Sequence, residues 1–367
     1  MYTDSRKASH DFKILVGIIG CLVLIGLIFV YSSSSVYALE FAHDAAYFFK
    51  KQLLGLVLGC IAAIVLSRLS LNRLYRLTPY IFLGALALTM LTFIPGFAHR
   101  IHGSSRWLNL GGVMFQPSEL LKWAVVLYTA AALARKEDLH KSMVKRYIPV
   151  LLVLITVSLV LLKQPDFGLM VTIGATVLCL LFIAYSDWKY VLALLAAAIP
   201  VGGLLIYLEP YRLKRMITFL NPWQDPQGAG FQVIQSLIAV GSGRLCGVGI
   251  SHSRQKFFYL PMQHTDFIFS IIAEETGFLG SFFVIFLYLA LLYQGMRLAW
   301  ELAAPFARYV VLGFTIMVNL QAIINIAVAV GLFPTKGIGL PFVSYGNSSL
   351  LCSVAMLGII AACVREV

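Results

Sequence analysis

Three carboxylates lie in one apolar stretch of the chain, HTDFIFSIIAEETG, residues 264–277. One interpretation is a helix start, with Thr265 or Asp266 as the N-cap and acidic groups favoured by the helix dipole. The other is a catalytic carboxylate at a membrane surface, because a carboxylate can act as general base toward a hydroxyl. The elements that position this stretch decide between the two.

Helical spacing separates the aspartate of this stretch from its glutamates. In a helix that starts here, Asp266, Ser270, Ala273 and Gly277 form one stripe of small and polar side chains, as a cavity-facing surface would. Glu274 is rotated from this stripe by about 80° and lies about 12 Å deeper. We therefore predict that Asp266 alone meets an external substrate, and that the glutamates hold neighbouring helices by hydrogen bonds.

Other ionisable residues lie at the ends of apolar segments, where they are costly and often functional. Arg106 and Lys336 could stabilise an anion such as a pyrophosphate leaving group, alone or with a divalent metal. Glu119 and Lys122, three residues apart near a helix start at Pro117, can form an ion pair. The placement of Arg106 and Lys336 also fits a transporter gate. Glu119 and Lys122 also fit a structural role, as a helix cap with an internal ion pair.

The composition places these residues in a membrane protein. Of 367 residues, 60% are hydrophobic and only 12% are charged, which excludes an ordinary soluble domain. A helix needs about 20 apolar residues to cross a bilayer. We predict an all-α fold with ten crossings, at about residues 13–32, 52–68, 77–95, 117–134, 148–163, 168–186, 189–208, 268–296, 308–330 and 344–364.

The placement of Lys and Arg predicts the orientation. Basic residues concentrate in the loops that share a side with the N-terminus, so both termini are expected in the cytoplasm. The net charge of +12 suits anionic lipid headgroups, and without a soluble basic domain it does not indicate nucleic acid. Polar residues gather in the outer loops, of which 209–265 is the longest. Within it, residues 220–230 are expected to form turns and residues 231–243 a short amphipathic helix.

Five motifs resemble the SEDS family of polytopic peptidoglycan glycosyltransferases, which includes FtsW, RodA and a sporulation homologue. They follow the family order over about residues 13–365. The motifs are HGSSRWLNLGGVMFQPSELLK, QPDFG, FLNPWQDPQGAGFQVIQSLIAVGSG, LPMQHTDFIFSIIAEETG and GLFPTKGIGLPFVSYGNSS.

The resemblance implies a SEDS fold with ten helices in a single membrane domain, and polymerisation of lipid II on the outer face of the bacterial cytoplasmic membrane. It assigns Asp266 as the base that deprotonates the acceptor hydroxyl. It implies substrate-binding roles in the same motifs for Arg106, Trp107, Gln116, Ser118, Glu119, Lys122, Asp166, His264, Lys336, Ser344, Ser348 and Ser349.

Within the family, PTKG and SHSRQKFFYLP resemble FtsW, the division enzyme, more than RodA, the elongation enzyme. The chain departs from FtsW at Phe258 and Met262, where acidic residues are usual, and at Asn347, where glycine is usual. The first two departures remove carboxylates that could assist a metal. Asn347 still tolerates positive φ, so that change is expected to matter little.

The resemblance also implies partners and leaves alternatives open. The expected partners are a class B penicillin-binding protein with transpeptidase activity, other divisome proteins, lipid II, glycan linked to undecaprenyl pyrophosphate, and membrane lipids. The only expected cofactor is a divalent cation, Mg²⁺ or Mn²⁺. A lipid II flippase and a division scaffold of low activity are the alternatives. A flippase needs polar groups along a path through the membrane, whereas the polar residues of this chain gather in the outer loops, which favours the enzyme.

Overall fold

A computed structural model describes residues 5–96, 98–101, 104–110, 113–135, 143–185, 188–257 and 259–366. These residues are predominantly helical, with three short strands. The elements in chain order are α1 Ser5–Ala42, α2 Tyr47–Leu66, α3 Leu71–Leu91, β1 Ala98–Ile101, β2 Ser104–Leu110, β3 Val113–Phe115, α4 Pro117–Leu133, α5 Met143–Lys163, α6 Phe167–Tyr185, α7 Trp188–Tyr207, α8 Pro210–Leu220, α9 Phe231–Ser242, α10 Ile268–Glu301, α11 Pro305–Ala329 and α12 Asn347–Arg365.

Each predicted crossing overlaps one helix, namely α1–α7 or α10–α12. Seven helices of the described chain are long and apolar enough to cross a membrane, and the bent pair α7–α8 makes an eighth. Helix α4 has 17 residues, and the described apolar part of α5 is Tyr147–Lys163. The chain is therefore a multi-pass membrane protein.

Helices α4 and α11 form the centre of the bundle. Helix α11 contacts α4, α6, α9, α10 and α12, and α4 also contacts α3, α5 and α6. Both are buried on nearly all sides, as expected for helices enclosed by other helices. The polar side chains on these two helices therefore face protein rather than lipid.

The loop between α3 and α4 contains a small sheet that the loop interpretation did not anticipate. Strands β1, β2 and β3 pair in that order, antiparallel, with Leu108 opposite Phe115 and Leu110 opposite Val113. Pairing satisfies backbone groups that have few partners near a membrane. The Gly-Gly sequence between β2 and β3 is a hairpin signal that could have predicted it.

The long connection 209–265 contains two helices. The predicted amphipathic helix is confirmed as α9, which ends against Gly243, and the predicted turns include a 3₁₀ turn at Pro222–Gln224. Residues Pro210–Leu220, which the sequence analysis places in a loop, form helix α8. It follows α7 after a bend of 103°.

Helix α10 is broken at Gly277, where φ is 66° and ψ is −161°. The backbone of residues 244–249 fills the break: Phe278 N–H donates to the Arg244 carbonyl at 2.8 Å, and Val248 N–H donates to the Glu274 carbonyl at 3.0 Å. A side chain at Gly277 would collide with this backbone. The long connection is thus joined to the helix that follows Asp266.

Candidate functional site

Asp266 lies in a turn that precedes α10. The Met262 carbonyl accepts the backbone N–H groups of Thr265 and Asp266 at 3.2 and 3.1 Å. Helix α10 begins at Ile268 with Phe267 at the N-cap position and no side-chain cap. The N-cap interpretation is therefore wrong, because the Met262 carbonyl supplies the acceptor for this turn. The half-buried Asp266 carboxylate is not used as a cap.

The predicted cavity-facing stripe is also wrong beyond Asp266. Ser270 is fully buried, and its Oγ lies 2.6 Å from Ser236 Oγ of α9. A Cβ at Gly243 would collide with the Ala273 carbonyl, so the backbones are in close contact. Small residues here allow α9 to pack closely on α10.

The loop that follows α11 lies beside Asp266. Asn325 Nδ2 donates to the Asp266 carbonyl at 2.8 Å and to the Ile338 carbonyl at 2.7 Å. A Cβ at Gly337 would lie 3.7 Å from Asp266 Oδ2. The PTKG segment and the catalytic candidate therefore share one site.

Ser344 holds this loop in place. Its Oγ donates to the Thr265 carbonyl at 2.5 Å and accepts the Leu340 N–H at 2.7 Å. Gln52 Nε2 of α2 donates to the Ser344 carbonyl at 3.0 Å. Ser344 is thus a positioning residue for the turn that carries Asp266.

Arg106 of β2 binds the QPDFG segment. Its Nε and Nη2 donate to the carbonyls of Gln164 and Pro165 at 2.8 and 2.6 Å, and its Nη1 lies 3.9 Å from Asp166 Oδ2. Asp166 Oδ1 accepts the Leu169 N–H at 3.2 Å, as an N-cap of α6 does. Burial raises the pKa of Asp166, and the charge of Arg106 opposes that shift.

The Asp266 carboxyl is tuned by its surroundings. Burial raises the pKa of Asp266 to about 6, the positive charges of Arg215 and Arg106 oppose the increase, and the negative charge of Asp166 adds to it. Sequence reasoning missed Arg215. Reading YRLKRMITFL as an amphipathic helix would have shown Arg212 and Arg215 on one face.

Lys336 approaches the same segment from the loop. Its Nζ lies 5.9 Å from the centre of the Phe167 ring and 5.2 Å from that of Phe333, within cation–π range. Burial lowers the pKa of Lys336. Lys336 therefore lies beside the QPDFG segment that Arg106 binds, and the residue after it, Gly337, lies beside Asp266.

Glu119 and Lys122 form the predicted ion pair at 2.6 Å, and Lys122 is 1% exposed. Lys122 Nζ also donates to Gln321 Oε1 of α11 at 3.2 Å, and Gln321 Nε2 donates to the Gly339 carbonyl at 3.2 Å. The charges of the pair act on Asp166, where Glu119 raises its pKa and Lys122 lowers it. The pair is therefore connected to the site through α11.

The remaining sequence-predicted residues have varied surroundings. Gln116 N–H donates to Ser348 Oγ at 2.9 Å, and Gln116 Nε2 donates to Ser118 Oγ at 3.0 Å, which joins the starts of α4 and α12. Trp107 is half-buried on β2, and Ser349 is half-buried in the first turn of α12.

His264 is packed among aromatic rings. Its ring centre lies 4.6 Å from that of Phe48, 5.8 Å from Tyr37 and 5.7 Å from Tyr345. Burial lowers the pKa of His264 to about 4, so the imidazole is neutral at pH 7. This position favours a packing role beside the site over contact with a charged substrate.

Of the deeper glutamates, Glu275 holds a neighbouring helix, as predicted, whereas Glu274 holds the long connection rather than a helix. Glu274 accepts the Arg254 N–H at 2.9 Å, and Glu275 accepts Ser32 Oγ of α1 at 2.8 Å. Lys256 Nζ lies 3.6 Å from Glu275 Oε1. The carboxylate oxygens of both glutamates therefore bind groups of the long connection and α1 rather than an external substrate.

The departures from the family pattern lie in different settings. Phe258 lies outside the described residues. Met262 is exposed and has a φ of 55°. Asn347 begins α12 and is not among the described residues with positive φ, so its tolerance of such angles is not what admits it. It packs instead on α2, where a Cβ at Gly55 would lie 3.2 Å from its carbonyl oxygen.

Relatives of this chain are similar to it over nearly its full length. A probable peptidoglycan glycosyltransferase FtsW of Trichlorobacter lovleyi is 40% identical over 97% of this chain and 93% of its own. Stage V sporulation protein E of Bacillus subtilis is 38% identical over 97% of each chain. The FtsW-like prediction is confirmed by these relatives.

Solved structures have the same fold. One chain, from work on structural coordination of polymerization and crosslinking by a peptidoglycan synthase complex, has a TM-score of 0.80 with 31% identity, and covers 96% of this chain and 97% of its own. The rod shape determining protein RodA of Thermus thermophilus gives a TM-score of 0.71 with 28% identity, over 96% of each chain. The model of the family described as "Cell cycle protein", which unites FtsW, RodA and SpoVE, matches residues 12–367, and the chain belongs to that family.

Proposed function

We propose that this chain is a peptidoglycan glycosyltransferase that polymerises lipid II into glycan strands for septal wall synthesis. Its relatives carry that enzyme name. The observation that carries the proposal is Asp266, a half-buried carboxyl with a pKa raised to about 6, which feels the positive charges of Arg215 and Arg106 from two other segments. A base with a pKa near the working pH is suited to proton transfer.

In the proposed reaction, Asp266 accepts the proton of the 4-hydroxyl of the incoming lipid II. The hydroxyl oxygen attacks the anomeric carbon of the lipid-linked growing chain, a new glycosidic bond forms, and the bond to undecaprenyl pyrophosphate breaks with inversion. Arg106 and Lys336 stabilise the negative charge on the departing diphosphate. The buried Glu119–Lys122 pair holds α4 on α11 and, through Gln321, the loop that carries Lys336.

A divalent cation, Mg²⁺ or Mn²⁺, is part of the proposal. In the described part of the chain no three His, Cys, Asp or Glu side chains form a cluster that could enclose a metal. Magnesium that binds together with substrate phosphates needs only one or two carboxylates, and Asp166 and Asp266 fit that requirement. Such an ion would neutralise charge on the diphosphate.

The proposed orientation places both termini in the cytoplasm, with ten crossings by α1–α7 and α10–α12 in the bacterial cytoplasmic membrane. The asymmetry of Lys and Arg supports this arrangement. Asp266 and the 209–265 connection then face the periplasm or outside, where lipid-linked substrate and a class B penicillin-binding protein would meet them. The likeness to a chain from a peptidoglycan synthase complex supports such a partner.

The test is polymerisation of labelled lipid II by purified protein, with and without its cognate transpeptidase, for the wild type and for Asp266→Ala. Glycan strands from the wild type and none from a folded, partner-binding variant are the expected result. Equal polymer from both proteins would remove Asp266 from the mechanism. If neither made polymer with partner and divalent metal present, the scaffold or the flippase alternative would replace the enzyme.

A further inference from the structure

Helix α8 directs two arginines at the candidate site. Arg212 and Arg215 are three residues apart, so they share one helix face, and both are half-buried. The Arg212 guanidinium lies 5.3 Å from the centre of the Phe167 ring, and Arg215 Nη1 donates to the Thr335 carbonyl at 2.8 Å. Lys214, between them, is exposed. The basic character of α8 is therefore concentrated on its inner face.

These arginines extend a group of cations that already includes Arg106 and Lys336. The Phe167 ring has Arg212 at 5.3 Å and Lys336 at 5.9 Å. Arg106 and Arg215 act on the carboxylates, because their charges lower the pKa of Asp266 and Arg106 Nη1 lies 3.9 Å from Asp166 Oδ2. Arg212 and Lys336 lie against Phe167, the residue after Asp166. Four positive charges against two negative charges leave an excess of two.

The excess matters because these cations are partly removed from water. Partly buried charge is costly unless it is paired, so a site of this kind favours an anion of matching charge. Arg215 retains donors for one: a guanidinium has five N–H groups, and the structure pairs one of them with the Thr335 carbonyl. Arginine also binds phosphate oxygens in a bidentate manner, which lysine does not.

We propose that Arg212 and Arg215 of α8 complete a diphosphate-binding site with Arg106 and Lys336, which takes the diphosphate of a polyprenyl-linked substrate. The site lies beside Asp266, so it holds the group that leaves when the new glycosidic bond forms. The inference rests on the proposed function for the reaction that uses the site. Binding of the diphosphate can be measured without that reaction.

The test measures the Kd of a fluorescent polyprenyl diphosphate for the full-length protein in detergent. Arg215→Gln and Arg212→Gln are each expected to raise the Kd about 10- to 100-fold, because each removes a charge-assisted contact. Lys214→Gln is the matched control, with the same charge change on the exposed face of the same helix, and is expected to change the Kd less than about 2-fold. Arg215→Lys is expected to lie between Arg215→Gln and the wild type.

Competition identifies the ligand chemistry. Inorganic pyrophosphate is expected to displace the probe, which places recognition at the diphosphate, whereas phosphatidylglycerol at equal concentration is not. Equal displacement by phosphatidylglycerol would overturn the proposal in favour of an ordinary headgroup site. An unchanged Kd in Arg215→Gln and Arg212→Gln, with thermal unfolding like that of the wild type, would also overturn it. If Arg215→Gln does not fold, Arg212→Gln and Arg215→Lys decide.

The two proposals fail in different ways. A wild-type protein that binds the diphosphate through α8 but makes no polymer would remove the enzyme proposal and keep this site. A wild-type protein that polymerises lipid II while the arginine variants keep its Kd would keep the enzyme and remove this site.

Discussion

The three carboxylates of the HTDFIFSIIAEETG stretch differ in how their oxygens are used. Glu274 and Glu275 are almost fully buried, and their oxygens accept hydrogen bonds from the long connection and α1. Asp266 is half-buried, precedes the helix, and has its pKa raised to about 6. Carboxylates eight residues apart therefore serve as a structural anchor and as a candidate base. The two roles are therefore distinguished by how many hydrogen bonds each carboxylate already accepts, and not by the presence of an acidic residue in the sequence.

The largest expected effect comes from replacing Asp266 with asparagine, which has nearly the same shape. Asp266→Asn is expected to lower the polymerisation rate by about 10²- to 10⁴-fold, the usual value of a general base. Its thermal stability at pH 7 should not fall, because a carboxyl whose folded pKa is raised favours the fold only when protonated. Glu274→Gln should keep far more activity. A similar rate loss in both variants would break the distinction between base and anchor.

A stability measurement tests the structural role of Glu275. Glu275→Leu leaves Lys256 buried without its partner, and we expect it to lower the free energy of unfolding by about 3–5 kcal/mol. Urea or thermal unfolding in detergent measures this change, and Lys256→Met, Glu275→Leu together should recover part of it. A single variant as stable as the wild type would contradict the anchor role.

Loss of one contact to the turn should have a smaller effect. Ser344→Ala leaves the Leu340 N–H without the serine acceptor and removes a donor to the Thr265 carbonyl, and we expect a cost of about 1–3 kcal/mol. Because this turn carries Asp266, the polymerisation rate should fall with KM nearly unchanged. Ser67→Ala, at the end of α2, is the control, because its Oγ donates to the Ile64 carbonyl of its own turn. An equal loss there would remove the positioning role of Ser344.

The pH dependence refines the comparison. The rate is expected to rise with pH through about 6, since the base acts only after its proton leaves. Arg106→Gln removes a charge that lowers the pKa of Asp266, so the rising limb should move to higher pH. Profiles of kcat/KM between pH 5 and 8 measure the shift; a limb that moves to lower pH would contradict the electrostatics.

The smallest effect concerns the turn itself. Met262 has a φ of 55°, a conformation that asparagine and glycine adopt more easily than methionine. Met262→Asn should therefore raise the free energy of unfolding by about 0.5–1 kcal/mol, whereas Met262→Leu should not. Thermal unfolding checks the pair, and equal stability of the two variants would remove strain as the cause.

The sequence was sufficient for the helices and for much of the site. Apolar length located ten helices with ends within about six residues, except that α1, Ser5–Ala42, extends well beyond the predicted 13–32 at both ends. The motifs of the resemblance named Asp266, Asp166, Arg106 and Lys336 as parts of one site. The N-cap and the cavity stripe were wrong because both assumed a helix that starts at Asp266. The helix starts at Ile268, since a backbone carbonyl rather than a side chain closes the turn.

Elements held by tertiary contacts were harder to predict. Helix α8 is short and basic, and its arginines contact Phe167 and Thr335, which belong to segments far away in the sequence. The break in α10 is invisible in an apolar run, because only the close approach of residues 244–249 requires glycine at 277. Local pattern specifies which segments are apolar; it does not specify which backbone fills a gap between them.

The break at Gly277 has a consequence for hydrogen exchange. The amides of Val248, Gly249, Phe278 and Leu279 donate across the break to backbone carbonyls, although two of them belong to a connection outside any helix. These amides can exchange with solvent only when α10 and the long connection separate. Deuterium uptake at the two connection amides should therefore be as slow as in a helix, and it would report on the separation of the long connection from α10.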